Sequence, residues 1–148
     1  MDPRTQKDRQ NVSMAHLAMV AALFSYAVLI WLLKDKLAKT PEPPRGDSLA
    51  LPLFAIGIVQ YLLATHLGAR RLPGPAAGAS ARVRSYFLIR FASAEALGIF
   101  GLFVGFLGAR TAVWAALLAT SLVAMLASAP TREAWEAALR RAATSSGT

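Results

Sequence analysis

The sequence predicts an all-α integral membrane protein, with four transmembrane helices in an antiparallel bundle and a short cytoplasmic amphipathic helix at the C-terminus. Three observations carry this expectation. Residues of the AVILMFWYC set make up 55% of the 148-residue chain and charged residues only 16%, well below the roughly 25% of soluble domains. The charges sit in short blocks rather than over a polar face, which argues against nucleic acid as a partner despite a net charge of +8. Between those blocks lie four runs: 24 residues from Gln10 to Leu33, 22 from Ser48 to Ala69, 25 from Ser85 to Ala109 and 21 from Thr111 to Thr131. A helix rising about 1.5 Å per residue needs about 20 residues to cross a hydrocarbon core about 30 Å thick, so each run is long enough for one crossing. Only the third run carries formal charges, Arg90 and Glu95. The whole chain, 1–148, then reads as one membrane domain with helices near 11–33, 50–68, 84–107 and 111–129 and a tail helix near 131–143.

Each element has its own local signals. The first run is too long for the apolar region of a signal peptide. It ends in Lys34-Asp35-Lys36 rather than a small-residue cleavage site, so it is expected to remain as an anchor. Pro52 falls near the expected start of the second helix, where its missing N–H matters least. Leu107 to Thr111 is long enough only for a tight hairpin, with Gly108 closing one helix and Thr111 opening the next. Trp31 and Trp114 fall where the first helix ends and the fourth begins, as for one shared aromatic belt. In the tail, Trp135, Leu139 and Ala142 recur at i, i+4 and i+7, Glu133 lies in the first turn, and Glu136 is spaced to pair with Arg140. This helix is expected to lie on the cytoplasmic membrane interface, with docking of a partner as the alternative.

Lys and Arg set the orientation. Ten lie at the N-terminus, in the loop Arg70–Arg84 and in the tail, against five in the loop Lys34–Asp47 and at Arg110. The positive-inside rule places both termini in the cytoplasm, as for a bacterial inner-membrane protein. Arg70, Arg71, Arg82 and Arg84 are expected to attract anionic lipid headgroups, with Arg90 snorkelling towards them from within its helix.

Glu95 is the candidate for chemistry. It is the eleventh of the 25 residues in its run, close to the bilayer midplane, where a carboxylate costs about 2.5–3.5 kcal/mol on insertion scales. Low dielectric favours its neutral form, so it could bind a proton or cation, or simply lock helix packing. Ser25, Tyr26, Gln60, Thr120 and Ser121 fall at similar depth and are candidate hydrogen-bond partners. Ala94, Gly98, Gly101 and Gly105 recur at spacings of 4, 3 and 4, which places them on one face. Gly101-x-x-x-Gly105 is the motif that lets a second helix approach closely. The two histidines, His16 and His66, with no Cys, are expected to pack or snorkel rather than bind metal. The sequence holds no HExxH, GxSxG, Walker A or GxGxxG motif, and no enzymatic activity or cofactor is expected from it.

The segment Ala94-Glu95-Ala96-Leu97-Gly98-Ile99-Phe100-Gly101-Leu102 resembles the ion-binding helix of the rotary ATP synthase proteolipid, subunit c. The resemblance implies that the second and third helices form the proteolipid hairpin around an Arg-bearing loop, with Glu95 as the proton- or sodium-binding carboxylate. The chain departs from that family in having only Gly57 within the body of the second helix, a longer loop, flanking helices on both sides and Arg90 one turn before the carboxylate. Two functions are therefore carried forward. One is a structural or accessory subunit of a homo- or hetero-oligomeric membrane assembly with a buried acid. The other is a proteolipid-like protein that binds or translocates a proton or cation through Glu95.

Orientation is directly testable. Cysteines introduced at Thr5 and Ser145 should both resist impermeant thiol reagents added outside intact cells; external labelling of either would reverse the topology.

Overall fold

A computed structural model of the chain describes residues 3–37, 45–75 and 78–143; Lys39 of the mixed-sign loop and Ser145 lie outside the described residues. The described residues form five helices: α1 (Pro3–Leu37), α2 (Arg45–Arg70), α3 (Ala79–Phe106), α4 (Thr111–Ala127) and α5 (Arg132–Ala143). Helices α1, α2 and α3 are each long and apolar enough to cross a membrane, and α4 with α5 makes a fourth such element bent by 66°. By itself α4 has 17 residues, about 26 Å at 1.5 Å per residue. That falls short of a typical hydrocarbon core, so the fourth expected helix is shorter than its uncharged run.

The first three helices start earlier than the charge pattern indicated, because polar contacts extend them. Asp8 in the first turns of α1 accepts a hydrogen bond from Ser80 (2.6 Å) and lies 3.6 Å from the Arg84 guanidinium, which joins the starts of α1 and α3. At the opposite end of the bundle, the Gly46 N–H donates to the Leu107 carbonyl (3.3 Å). Asp47 accepts from both the backbone N–H (2.9 Å) and the guanidinium (2.6 Å) of Arg110. A carboxylate in the first turn also complements the helix dipole. These contacts add turns ahead of the expected start of α2, so Pro52 sits two turns inside the helix rather than at its head. It interrupts one intrahelical bond and remains exposed.

The α3–α4 turn closes as its sequence suggested. Gly108 has φ 75°, a left-handed conformation that only glycine adopts without cost. Its N–H donates to the Gly105 carbonyl (3.1 Å) and the Ala109 N–H to the Val104 carbonyl (3.0 Å), the paired bonds of a Schellman motif.

Helix α3 is the hub: it packs against α1, α2, α4 and α5, while α1 and α2 make no comparable contact with each other. Its small residues set those distances. A side chain at Gly98 would meet Leu23 of α1 and the Ser121 Oγ of α4. One at Gly101 would come within 3.1 Å of the Leu117 Cβ and 3.2 Å of the Trp114 carbonyl, both on α4, and one at Gly105 would press on Ile30 of α1. On the far side, Gly57 of α2 lies against Leu97. The small-residue stripe is thus filled by α1 and α4 of the same chain.

In the tail, Trp135 is fully buried, stacked on Phe87 at 5.5 Å and 13°. With Val12, Leu72, Val83 and Phe91 it forms the core that closes the end of the bundle bearing both termini. Thr131 caps α5 by accepting from the Ala134 N–H (3.2 Å). Glu136 pairs with Arg132 (2.9 Å) rather than with Arg140, and this hydrogen bond from the Arg132 guanidinium, ahead of the Arg132 and Arg140 charges, holds its carboxyl below the usual range. Outside the cores, twenty large apolar side chains among the described residues are exposed, including Leu51, Met14 and Val123. That apolar surface is far more than water tolerates on a small monomer, and it suits solvation by lipid.

Substitution at Gly101 should therefore be far more damaging than at its half-buried neighbour. Gly101→Leu must displace α4 backbone and is expected to cost about 3 kcal/mol or block folding, against about 1 kcal/mol for Leu102→Ala. Thermal unfolding in detergent will compare the two.

Candidate functional site

The interior polar groups arise where small residues let helix backbones meet. Ala94 and Gly98 leave room for α4 to press its Ser121 onto α3, and the buried Ser121 hydroxyl donates to the Ala94 carbonyl (2.6 Å). One residue further along α3, Glu95 turns towards α1 and accepts a hydrogen bond from the Tyr26 hydroxyl (3.1 Å). Glu95 is half-buried, unlike the fully buried Ala94 beside it. At about 100° per residue it sits on the edge of α3 between the α1 contact and the exposed strip that carries Ile99 and Phe103.

Two further ties lie nearer the terminus-bearing end. His16 of α1 is buried against Phe91 (4.8 Å between ring centroids), with Nε2 3.0 Å from the Met125 carbonyl of α4. A carbonyl can only accept, so Nε2 carries the hydrogen of that bond. Tyr61 of α2 pairs its hydroxyl with the Ser128 Oγ (2.8 Å) at the end of α4, and also reaches the Ala124 carbonyl (3.4 Å). Ser121, Tyr26, His16 and Tyr61 thus join α4 to α3, α1 to α3, α1 to α4 and α2 to α4. Each bond of this kind contributes about 0.6–1.7 kcal/mol in apolar surroundings.

Of the five side chains expected at the depth of Glu95, only Tyr26 reaches its carboxylate. Ser121 holds the neighbouring peptide instead. Ser25 and Thr120 return their hydroxyls to the carbonyls of Ala21 (3.1 Å) and Ala116 (2.8 Å) within their own helices, a common resort of hydroxyls in apolar helices. Gln60 is exposed and lines a groove along α2. His16 and Tyr61 are the residues that sequence reasoning missed as ties. Their depth was legible, but not the helix that each would face.

Arg90 points away from Glu95. Its Nη1 donates to the Tyr86 hydroxyl (3.3 Å), its guanidinium lies 5.4 Å from the Tyr86 ring centroid, and its buried Nε has no hydrogen-bond partner. Among the basic residues assigned to headgroups, Arg82 reaches the α2–α3 loop and α5. It donates to the carbonyls of Leu72 (2.9 Å), Pro75 (2.6 Å) and Ala142 (3.2 Å). Arg84 lies beside Asp8, while Arg70 and Arg71 are exposed. His66 is exposed, and among the described residues no group of three or more His, Asp or Glu could hold a metal.

No protein-family model, curated protein or solved structure matches the chain.

The ties can be separated by mutation. Ser121→Ala and Tyr26→Phe should each lower stability by about 0.6–1.7 kcal/mol, whereas Ser25→Ala, whose bond stays within α1, should be close to neutral. Equilibrium unfolding in mixed micelles provides the comparison.

Proposed function

We propose that the chain is a structural or accessory subunit of a membrane assembly, inserted in a bacterial inner membrane with both termini cytoplasmic. Glu95 acts in it as a packing acid. The observation that carries this reading is that Ser121, Tyr26, Glu95, His16 and Tyr61 spend their polar groups on bonds between helices. Glu95 takes part through one donor, the Tyr26 hydroxyl. The small-residue stripe of α3 is occupied by α1 and α4, so it is not the docking face for a partner. The exposed apolar faces of α1 and α2 are left for lipid and for the helices of other subunits.

One observation favours the second reading, a proteolipid-like protein that binds or moves a proton or cation. Glu95 lies at an edge of α3 and keeps part of its surface open, so a hydrated path or a partner helix could reach it.

Gln preserves the shape of Glu95 but cannot exchange a proton. Under the structural reading, Glu95→Gln keeps assembly near normal and stability within about 1 kcal/mol. Glu95→Leu leaves the Tyr26 hydroxyl without its acceptor and costs about 1–3 kcal/mol. Proteoliposomes bearing wild type should show no proton or sodium flux above empty vesicles. A flux abolished by Glu95→Gln, together with carbodiimide modification of the wild type that varies with pH, would replace the structural reading with ion handling.

A further inference from the structure

We propose that the groove between α2 and α3 is a binding site for one anionic phospholipid, its phosphate at the Arg71 end and an acyl chain along α2. The proposal rests on the membrane reading above and turns its general attraction of headgroups into one defined site.

Two cavities follow one another along these helices. The one near the terminus-bearing end has a volume of about 310 Å³ and is lined by Arg71, Arg82, Ser85, Tyr86 and the apolar Ile89, with Gly68 at its floor. The next, about 640 Å³, is lined by Ile56, Val59, Leu63 and Ala64 of α2, with Gln60 and Ser93 as its polar members. Ala64 and Gly68 are one helical turn apart on α2, and Ile89 and Ser93 are one turn apart on α3. The two hollows are therefore successive stretches of one groove, cationic and hydroxyl-bearing at one end and apolar along the rest.

The chemistry at the cationic end suits a phosphate diester. Among the described residues, no acidic side chain lines it. Arg71 is exposed and joins no ion pair among the described residues. Arg82 has donors committed to the Leu72, Pro75 and Ala142 carbonyls, which fixes a positive charge at the rim. The Tyr86 hydroxyl accepts from Arg90 and so keeps its own hydrogen to donate. Arg71 would hold the phosphate by charge-assisted hydrogen bonds, with Tyr86 and Ser85 as neutral donors. A free phosphate would fill the polar end and leave the apolar stretch unused, whereas a phospholipid fills both. This complementarity along one groove selects the lipid.

The test uses the full chain extracted in detergent and examined by native mass spectrometry with phosphatidylglycerol or phosphatidylcholine. One phosphatidylglycerol per chain should be retained about tenfold more tightly than phosphatidylcholine. Arg71→Gln should weaken phosphatidylglycerol about fivefold or more, with little effect on phosphatidylcholine. Ala64→Phe, which fills the apolar stretch, should weaken both lipids. Arg4→Gln, an exposed arginine on α1 away from the groove, should change neither, and millimolar inorganic phosphate should not displace the bound lipid. Equal retention of the two lipids, or equal effects of Arg71→Gln and Arg4→Gln, would overturn the site while leaving the membrane reading intact. Recovery of the chain in the aqueous fraction after alkaline extraction would overturn the membrane reading and the site with it.

Discussion

The close approach of α1 and α4 to the small-residue face of α3 is the constraint on which the other contacts depend. Ala94, Gly98, Gly101 and Gly105 lower the surface of α3 enough for Leu23, Ile30, Leu117 and the Trp114 backbone to reach it. In lipid there is no hydrophobic gain from hiding one apolar helix against another, so dispersion contact at short range has to supply the attraction. The same approach brings a hydroxyl within reach of a backbone carbonyl. A side chain at position 98 would crowd the Ser121 hydroxyl that donates to Ala94, its Oγ lying 3.1 Å from the added Cβ. Packing and polar bonding are one arrangement here.

The polar groups follow a simple economy. An unmade hydrogen bond in apolar surroundings is costly, and most interior polar side chains either tie two helices together or return to their own backbone. The exceptions lie towards the terminus-bearing end. The Arg9 Nε, the Arg90 Nε, the Thr65 Oγ1 and the Trp135 Nε1 are buried without a hydrogen-bond partner among the described residues. For Trp135, the large apolar area it buries and its stacking on Phe87 outweigh the indole N–H.

The two ends of the bundle are fastened by different means. One is compact: Asp47 grips Arg110 by two bonds and Gly46 meets Leu107, so that the start of α2 is fixed to the α3–α4 turn. The other is broad. Arg82 gathers the α2–α3 loop and the last turn of α5, and Trp135 plugs the space between α1 and α3. The α5 helix thereby serves as part of the core, and Arg82, one of the basic residues assigned to headgroups, also braces the loop and α5.

The sequence by itself determined where helices run and where they turn. Uncharged runs locate the helices, Gly108 marks the α3–α4 turn, and the i, i+4, i+7 spacing of Trp135, Leu139 and Ala142 marks the amphipathic tail. It also placed Glu95 at mid-helix and Tyr26 at the same depth. Tertiary structure alone decided which face meets which neighbour: that Ser121 holds Ala94 and not Glu95, that Gln60 looks outward, that His16 reaches Met125, and that Trp135 is buried inside the bundle. The reason is physical. Charge and length fix a residue's position along a helix axis, because crossing from hydrocarbon to water is a steep change of solvent. Rotation about that axis is barely encoded when a helix is apolar on every side, since lipid and protein interior are nearly equivalent to Leu or Phe. Close packing of specific shapes then chooses the rotation, and with it the partner of every polar group.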